Sequence, residues 1–193
     1  MATTRERLAA AGLRLFAEEG FEATSLGALA EAVGIRKPSI YNHFDSKDAL
    51  FLFLVDEVVG QMRERIAAGF EAARGGAFDA RLERLLLDAS GEDFGRAEGI
   101  FYKRFILFPP PRFATEVGAQ MARCERECDL LLDALYAQGR ELELFEGIDR
   151  ASFGATFYCV ADGLFTERFI YAADELAARR ERVWGVLRRA IGL

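Results

Sequence analysis

The chain has little of what builds catalytic or metal chemistry. Its 193 residues include one histidine, His43, and three cysteines, Cys124, Cys128 and Cys159. A single imidazole gives a histidine-based metal site or catalytic triad little to build on. Three clustered cysteines are too few for a secreted disulfide framework and point to a reducing, cytoplasmic setting. There is no Gly-x-Ser-x-Gly, no His-Glu-x-x-His and no phosphate-cradling glycine loop, so neither an enzyme nor a cofactor is expected. No apolar run approaches the ~20 residues of a membrane span, and the first residues lack a signal-peptide core. Positive charge is also short. The formal net charge is -6, so any contact with nucleic acid must come from a local patch.

Proline is scarce as well: of four, three stand together at Pro109–Pro111. Long proline-free stretches of Ala, Leu, Arg and Glu carry apolar residues at three-and-four spacing, and sustained alternation is rare. The expected fold is therefore all-α, with about nine helices. The first runs from about Thr4 to Glu19 and stops at Gly20. A short helix follows Thr24 or Ser25, either of which can cap it, and ends at Gly34. A third starts near Pro38, and Asp45 or Ser46 caps a longer one from about Lys47 toward Ala73. Further helices are expected over Phe78–Ala89 and Phe113–Gln138, then over about 150–173 and 175–191. Ser90–Gly99 reads as loop, and Phe101–Phe108 as helix or coil.

Two short helices joined by a glycine-containing turn make a helix-turn-helix. Ala30 is small where the second helix must cross close, Gly34 supplies the turn, and Ile40 points into a core with Leu15, Phe16, Leu26 and Leu29. What faces outward is polar: Arg36, Lys37, Ser39, Tyr41, Asn42, His43 and Lys47, with Asp45 the one acid. Residues 1–47 carry six basic and six acidic side chains, so the remainder holds the whole -6. A neutral unit with its basic groups at one edge is what a major-groove reader requires. Arg36 and Lys37 can pair with phosphate or guanine, Ser39 and Asn42 can read base edges, and Tyr41, His43 and Lys47 suit phosphate. Helix N-termini near Thr24, Ser25 and Lys47 can offer backbone N–H groups to phosphate.

The run from Ala10 to Phe21, then Thr24-Ser25-Leu26 through Ala30, Gly34-Ile35, Ile40-Tyr41-Asn42-His43-Phe44 and Ser46 to Leu50 resembles the DNA-binding domain of the tetracycline-repressor (TetR) family. The resemblance implies that Tyr41 and Phe44 close a recognition helix and that Lys47 contacts phosphate. Pro38 departs from the small residue more usual there and should stiffen the helix start. The resemblance also implies a helix-turn-helix domain over residues 1–47 and a ligand-binding, dimerising domain over 48–193.

In that second part, the 153–165 segment is apolar almost all round, and a helix of this kind must be covered on both sides. Phe153, Phe157, Val160, Ala161 and Leu164 are expected to face the domain's own core. Gly154, Tyr158, Phe165 and Phe169 are expected to await another subunit. With the last helix (Leu176, Val183, Trp184, Leu187, Ala190, Ile191) they would form a four-helix isologous homodimer seam, which suits a palindromic operator. Phenylalanine is abundant, with 17 copies. Phe101, Arg104, Phe105, Phe108, Met121, Cys124, Cys128, Phe157, Tyr158 and Phe165 are the candidate lining of a cavity for a small hydrophobic effector. Thr156 and Phe113 are further candidates.

The expected function is a DNA-binding repressor released by that effector. The alternative is a redox- or metal-responsive regulator sensing through Cys124, Cys128 and Cys159. Against it, Glu125, Glu127 and Asp129 would raise a neighbouring thiol pKa rather than activate it.

Overall fold

Helix α1 (Thr4–Glu18) starts at a reciprocal cap: the Glu6 N–H donates to Thr3 Oγ1 at 3.2 Å, and the Thr3 N–H donates to Glu6 Oε2 at 2.7 Å. Helix α2 (Leu26–Val33) is capped by Ser25, whose Oγ accepts the Ala28 N–H at 3.0 Å, and it ends at Gly34 with φ +72°. A 3-10 helix (Lys37–Asn42) follows, then α3 (Lys47–Ala72), with Ser46 Oγ accepting the Ala49 N–H at 3.0 Å. Beyond it come α4 (Phe78–Ala89), α5 (Arg96–Leu107), a 3-10 turn (Pro111–Phe113), α6 (Ala114–Glu141), α7 (Arg150–Glu167) and α8 (Ala173–Ile191). The computed structural model describes residues 2–193, and among them there is no β-strand. Also among these residues, no helix is long and apolar enough to cross a membrane.

Three local differences from the sequence reading have physical causes. The recognition segment winds as a 3-10 helix, with Pro38 in its first turn and Ile40 its one buried side chain. Tighter i→i+3 winding is common in pieces this short. Helix α5 begins inside the stretch read as loop, because the Glu98 carboxylate accepts the Gly95 N–H at 2.8 Å and starts the helix there. Helix α7 stops at Glu167, which is held by Arg179 of α8 through a two-pronged ion pair at the corner between the two helices.

The chain divides into two compact units, Met1–Gln61 with Phe94–Arg123, and Met62–Asp93 with Cys124–Leu193. The first holds the helix-turn-helix and α5. Its centre is aromatic: Phe21 and Phe51 meet at 4.9 Å between ring centroids, Phe51 and Phe113 at 5.2 Å, and Phe51 and Phe101 at 5.8 Å. Such pairs add ~0.5–1.5 kcal/mol each beyond the area they bury.

The second unit packs Leu82, Leu85, Leu132, Leu135, Phe153 and Phe157. Here the expected faces of α7 are corrected. Phe153, Phe157, Ala161 and Leu164 are buried as expected, but so are Gly154 and Phe165, while Val160, Tyr158 and Phe169 are half-buried. The Phe165 ring lies against Gly91, and the Arg150 guanidinium lies over Gly154. The strip left exposed is Ala155, Cys159, Asp162, Gly163 and Thr166. On α8, Leu176, Leu187 and Ile191 are buried, Val183 and Trp184 half-buried, and Val186 and Ala190 exposed.

Candidate nucleic-acid interface

The turn at Gly34 sets up the interface. A left-handed conformation there, free of any Cβ, lets the chain reverse and present residues 36–42. Ile40 is fully buried and anchors the segment, so its neighbours on the 3-10 turn point away. Arg36, Lys37, Pro38, Tyr41 and Asn42 are exposed, Tyr41 at 52%, while Ser39 and His43 are half-buried. Ser25 is exposed at the start of α2, where its hydroxyl serves as the cap while the first N–H groups of that helix face outward. Exposed cations, a phenol and an amide on one short helix, beside a helix N-terminus, can meet phosphates and base edges together.

Two of the expected contacts sit differently. Thr24 is fully buried: its hydroxyl donates to the Gly20 carbonyl at 2.8 Å, and its N–H donates to the same oxygen at 3.3 Å. Its side chain is therefore turned from the surface, and the outward position belongs to Ser25. Lys47 is half-buried, with its ammonium donating to the carbonyls of Phe21 at 2.7 Å and Thr24 at 2.9 Å. It fixes the α1–α2 loop before it does anything else.

Sequence reasoning missed the residues that brace this surface from behind. Arg7 of α1 donates to the Val33 carbonyl at the end of α2. Arg5 lies over the rings of Phe44 and Phe53, 5.0 and 4.4 Å from their centroids. Arg112 reaches Asp48 at 2.9 Å and lies over Phe21.

The expected effector lining is distributed over both units. Phe101, Arg104, Phe105 and Phe108 border a cavity of about 410 Å³ inside the first unit, together with Phe16, Gly20–Ala23, Phe51 and Pro109–Pro111. Met121 is half-buried in the same unit but does not border that cavity. Cys124 and Cys128 border a separate space of about 190 Å³ in the second unit with Arg63, Ile66 and Leu131. Phe157 and Phe165 are core, and the Tyr158 hydroxyl is bonded to Asp129 Oδ1 at 3.2 Å. Burial pushes the Cys124 thiol up to about 11 and the Cys128 thiol up to about 12. Neither is a thiolate at neutral pH, and thiolate is what reacts with oxidants and soft metals. Among the described residues, no cluster of three or more His, Cys, Asp or Glu is placed to hold a metal ion.

Residues 8–54, which contain the whole helix-turn-helix, match the family model described as "Bacterial regulatory proteins, tetR family". The chain is 40% identical over 62 residues to the HTH-type transcriptional repressor KstR2 of Rhodococcus jostii, a match covering 30% of each protein. It is 27% identical over 146 residues to the HTH-type transcriptional regulator YerO of Bacillus subtilis, covering 76% of this chain and 48% of that one. These matches thus span less than half of either relative's length. Among solved structures, AmtR of Mycobacterium smegmatis superposes with a TM-score of 0.66 at 25% identity, over 100% of this chain and 87% of that one. Motif, surface and fold agree: residues 8–54 form a helix-turn-helix of the kind described for the tetR family of bacterial regulatory proteins, and the chain as a whole shares the fold of AmtR.

Proposed function

We propose that this protein is a cytoplasmic transcriptional repressor that binds a palindromic operator as a homodimer and is released from it by a small hydrophobic molecule. The observation that carries the reading is the exposure of Arg36, Lys37, Tyr41 and Asn42 around a fully buried Ile40. Burial of Ile40 supports a reading in which the opposite face of the segment meets a duplex. On that face Asn42 and the edge of Ser39 read bases, while Arg36, Lys37, Tyr41 and His43 hold phosphates. Ser25 and the N-terminus of α2 add a further phosphate contact.

A single copy would reach one half-site. The strip Ala155, Cys159 and Gly163 on α7, with Val186 and Ala190 on α8, is exposed and has small or apolar side chains that let helices approach closely. Paired about a twofold axis, it would set two recognition segments ~34–36 Å apart on successive turns of one face of the duplex. An effector that binds the wrongly spaced dimer better than the operator-competent one needs only ~1–3 kcal/mol of coupling to loosen DNA several-fold.

The test is selection of bound sequences from random DNA followed by gel shifts. A palindrome should emerge. Tyr41→Ala should weaken binding to every sequence alike, and Asn42→Ala should change which base is preferred. Unchanged affinity and preference in both variants would remove the contact assignment.

A further inference from the structure

The cavity of about 410 Å³ in the first unit lies inside the same compact unit as the helix-turn-helix. We propose that this cleft is the effector site and that it takes an uncharged aromatic or alicyclic molecule bearing a hydrogen-bond acceptor. The inference rests on the regulatory reading above and assigns it a place.

The walls give the chemistry. Phe16, Phe51, Phe101 and Phe105 are buried around the cleft, yet Phe108 at its edge is 77% exposed. A large apolar side chain left in water beside an apolar hollow offers surface that a bound molecule would cover. The size falls within the ~300–1,000 Å³ of ordinary ligand pockets. The polar element is Arg104, whose Nη1 donates to the carbonyl oxygens of Ala17 at 2.8 Å and Phe16 at 3.4 Å, at the end of α1. Its guanidinium packs flat on Gly20, where φ is +90° and a Cβ would come within 3.4 Å of Arg104 Cζ. A guanidinium in that position can also donate to a neutral acceptor on a ligand. A charged ligand meets a like charge as well as an opposite one, so neither sign is favoured outright. An anion would face Glu19 and Glu22, the latter 3.6 Å from Arg112, and a cation would face Arg104.

The route to DNA is short. Residues Gly20–Ala23 form one wall, and the loop they belong to carries the two carbonyls that hold Lys47 and leads directly into the Ser25 cap of α2. An occupant that displaces this wall displaces the start of α2 and the phosphate contacts made there. Linkage then requires that DNA weaken the ligand by the same factor by which the ligand weakens DNA.

The experiment titrates the full chain with the neutral probe N-phenyl-1-naphthylamine and follows its fluorescence. Saturable binding is expected. Ala23→Trp, an exposed position that fills the cleft, should weaken the probe at least tenfold, and Phe108→Ala at least threefold. Ala67→Trp, which fills the space beside Cys124 and Cys128, should leave it unchanged. Loss in Ala67→Trp with retention in Ala23→Trp and Phe108→Ala overturns the assignment, as does the absence of saturable binding. An anionic anilinonaphthalene sulfonate or a cationic dye that binds more tightly than the neutral probe overturns the ligand class. Probe binding at the cleft in a protein that selects no DNA sequence sinks the regulatory role and leaves the site. Sequence-specific DNA binding without probe binding does the reverse.

Discussion

The Lys47 ammonium is bonded to the Thr24 carbonyl at 2.9 Å, so the first residue of α3 holds the residue that precedes the cap of α2. The same nitrogen takes the Phe21 carbonyl at 2.7 Å and lies 4.2 Å from the centroid of the Phe21 ring. Lys47 therefore serves the fold as well as any phosphate it meets. Lys47→Met should cost on the order of 2 kcal/mol of stability, since two hydrogen bonds from a charged donor are lost. It should also weaken DNA binding. Tyr41→Ala should weaken DNA binding with no change in melting. Parallel melting curves and gel shifts separate the two, and a Lys47→Met protein as stable as the parent would refute the clamp.

Two glycines differ in what a methyl group would meet. Gly34 has φ +72° and open space around it, so Gly34→Ala should lose only the ~1–2 kcal/mol of left-handed strain. Gly91 combines φ +65° with the Phe165 ring against its Cα, so Gly91→Ala adds a clash to the same strain. Urea unfolding should place the Gly91 variant well below the Gly34 variant. Equal losses would show that Phe165 can move aside freely.

Thiol labelling gives a third prediction. Cys159 is exposed, whereas Cys124 and Cys128 are buried with thiols pushed up to about 11 and about 12. Because Cys159 lies in the proposed seam, iodoacetamide at pH 8 should alkylate it faster in dilute than in concentrated native protein, and should reach the other two only after denaturation. Mass spectrometry of the native reaction that finds Cys124 or Cys128 modified would restore a sensing role for them.

The Asp88 carboxylate is fully buried and bonded to Arg84, and burial raises its pKa above the ordinary 3.8 despite that partner. A folded-state pKa above the unfolded one means that the native state keeps the proton longer. Stability from this group is therefore greatest in acid and declines as pH climbs from the unfolded pKa through the folded one. Asp88→Asn removes the decline, so its stability relative to the parent should increase across that acidic window and level off near neutrality. A constant difference between the two proteins from pH 3 to pH 7 would contradict the shift.

Much of the fold was legible in the chain. Ser25, Gly34, Pro38 and Ser46 each mark an end that the structure uses, because caps and turn glycines act locally. Helix α4 falls on the expected residues without a side-chain cap at Ala77, because its buried Phe78, Leu82, Leu85 and Leu86 repeat at helical spacing. What failed to show was phase and partnership. A helix as apolar as α7 carries no polar stripe to say which side is inward, so its sequence does not reveal that Phe165 and Gly154 are buried. Thr24 and Ser25 are equally good caps on paper, and only the carbonyl of Gly20, four residues back, decides that Thr24 turns inward. The cleft lining draws on residues some ninety positions apart, such as Phe16 and Arg104, whose meeting depends on α5 packing against α1.

Trp184 is the chain's one tryptophan, and it sits half-buried on α8 beside the exposed Val186. The protein thus contains a single indole, selectively excited at the red edge of the absorption band and placed on a helix of the proposed seam. Its emission colour reports solvent access at that spot without any label, so a dilution series would follow the proposed pairing directly.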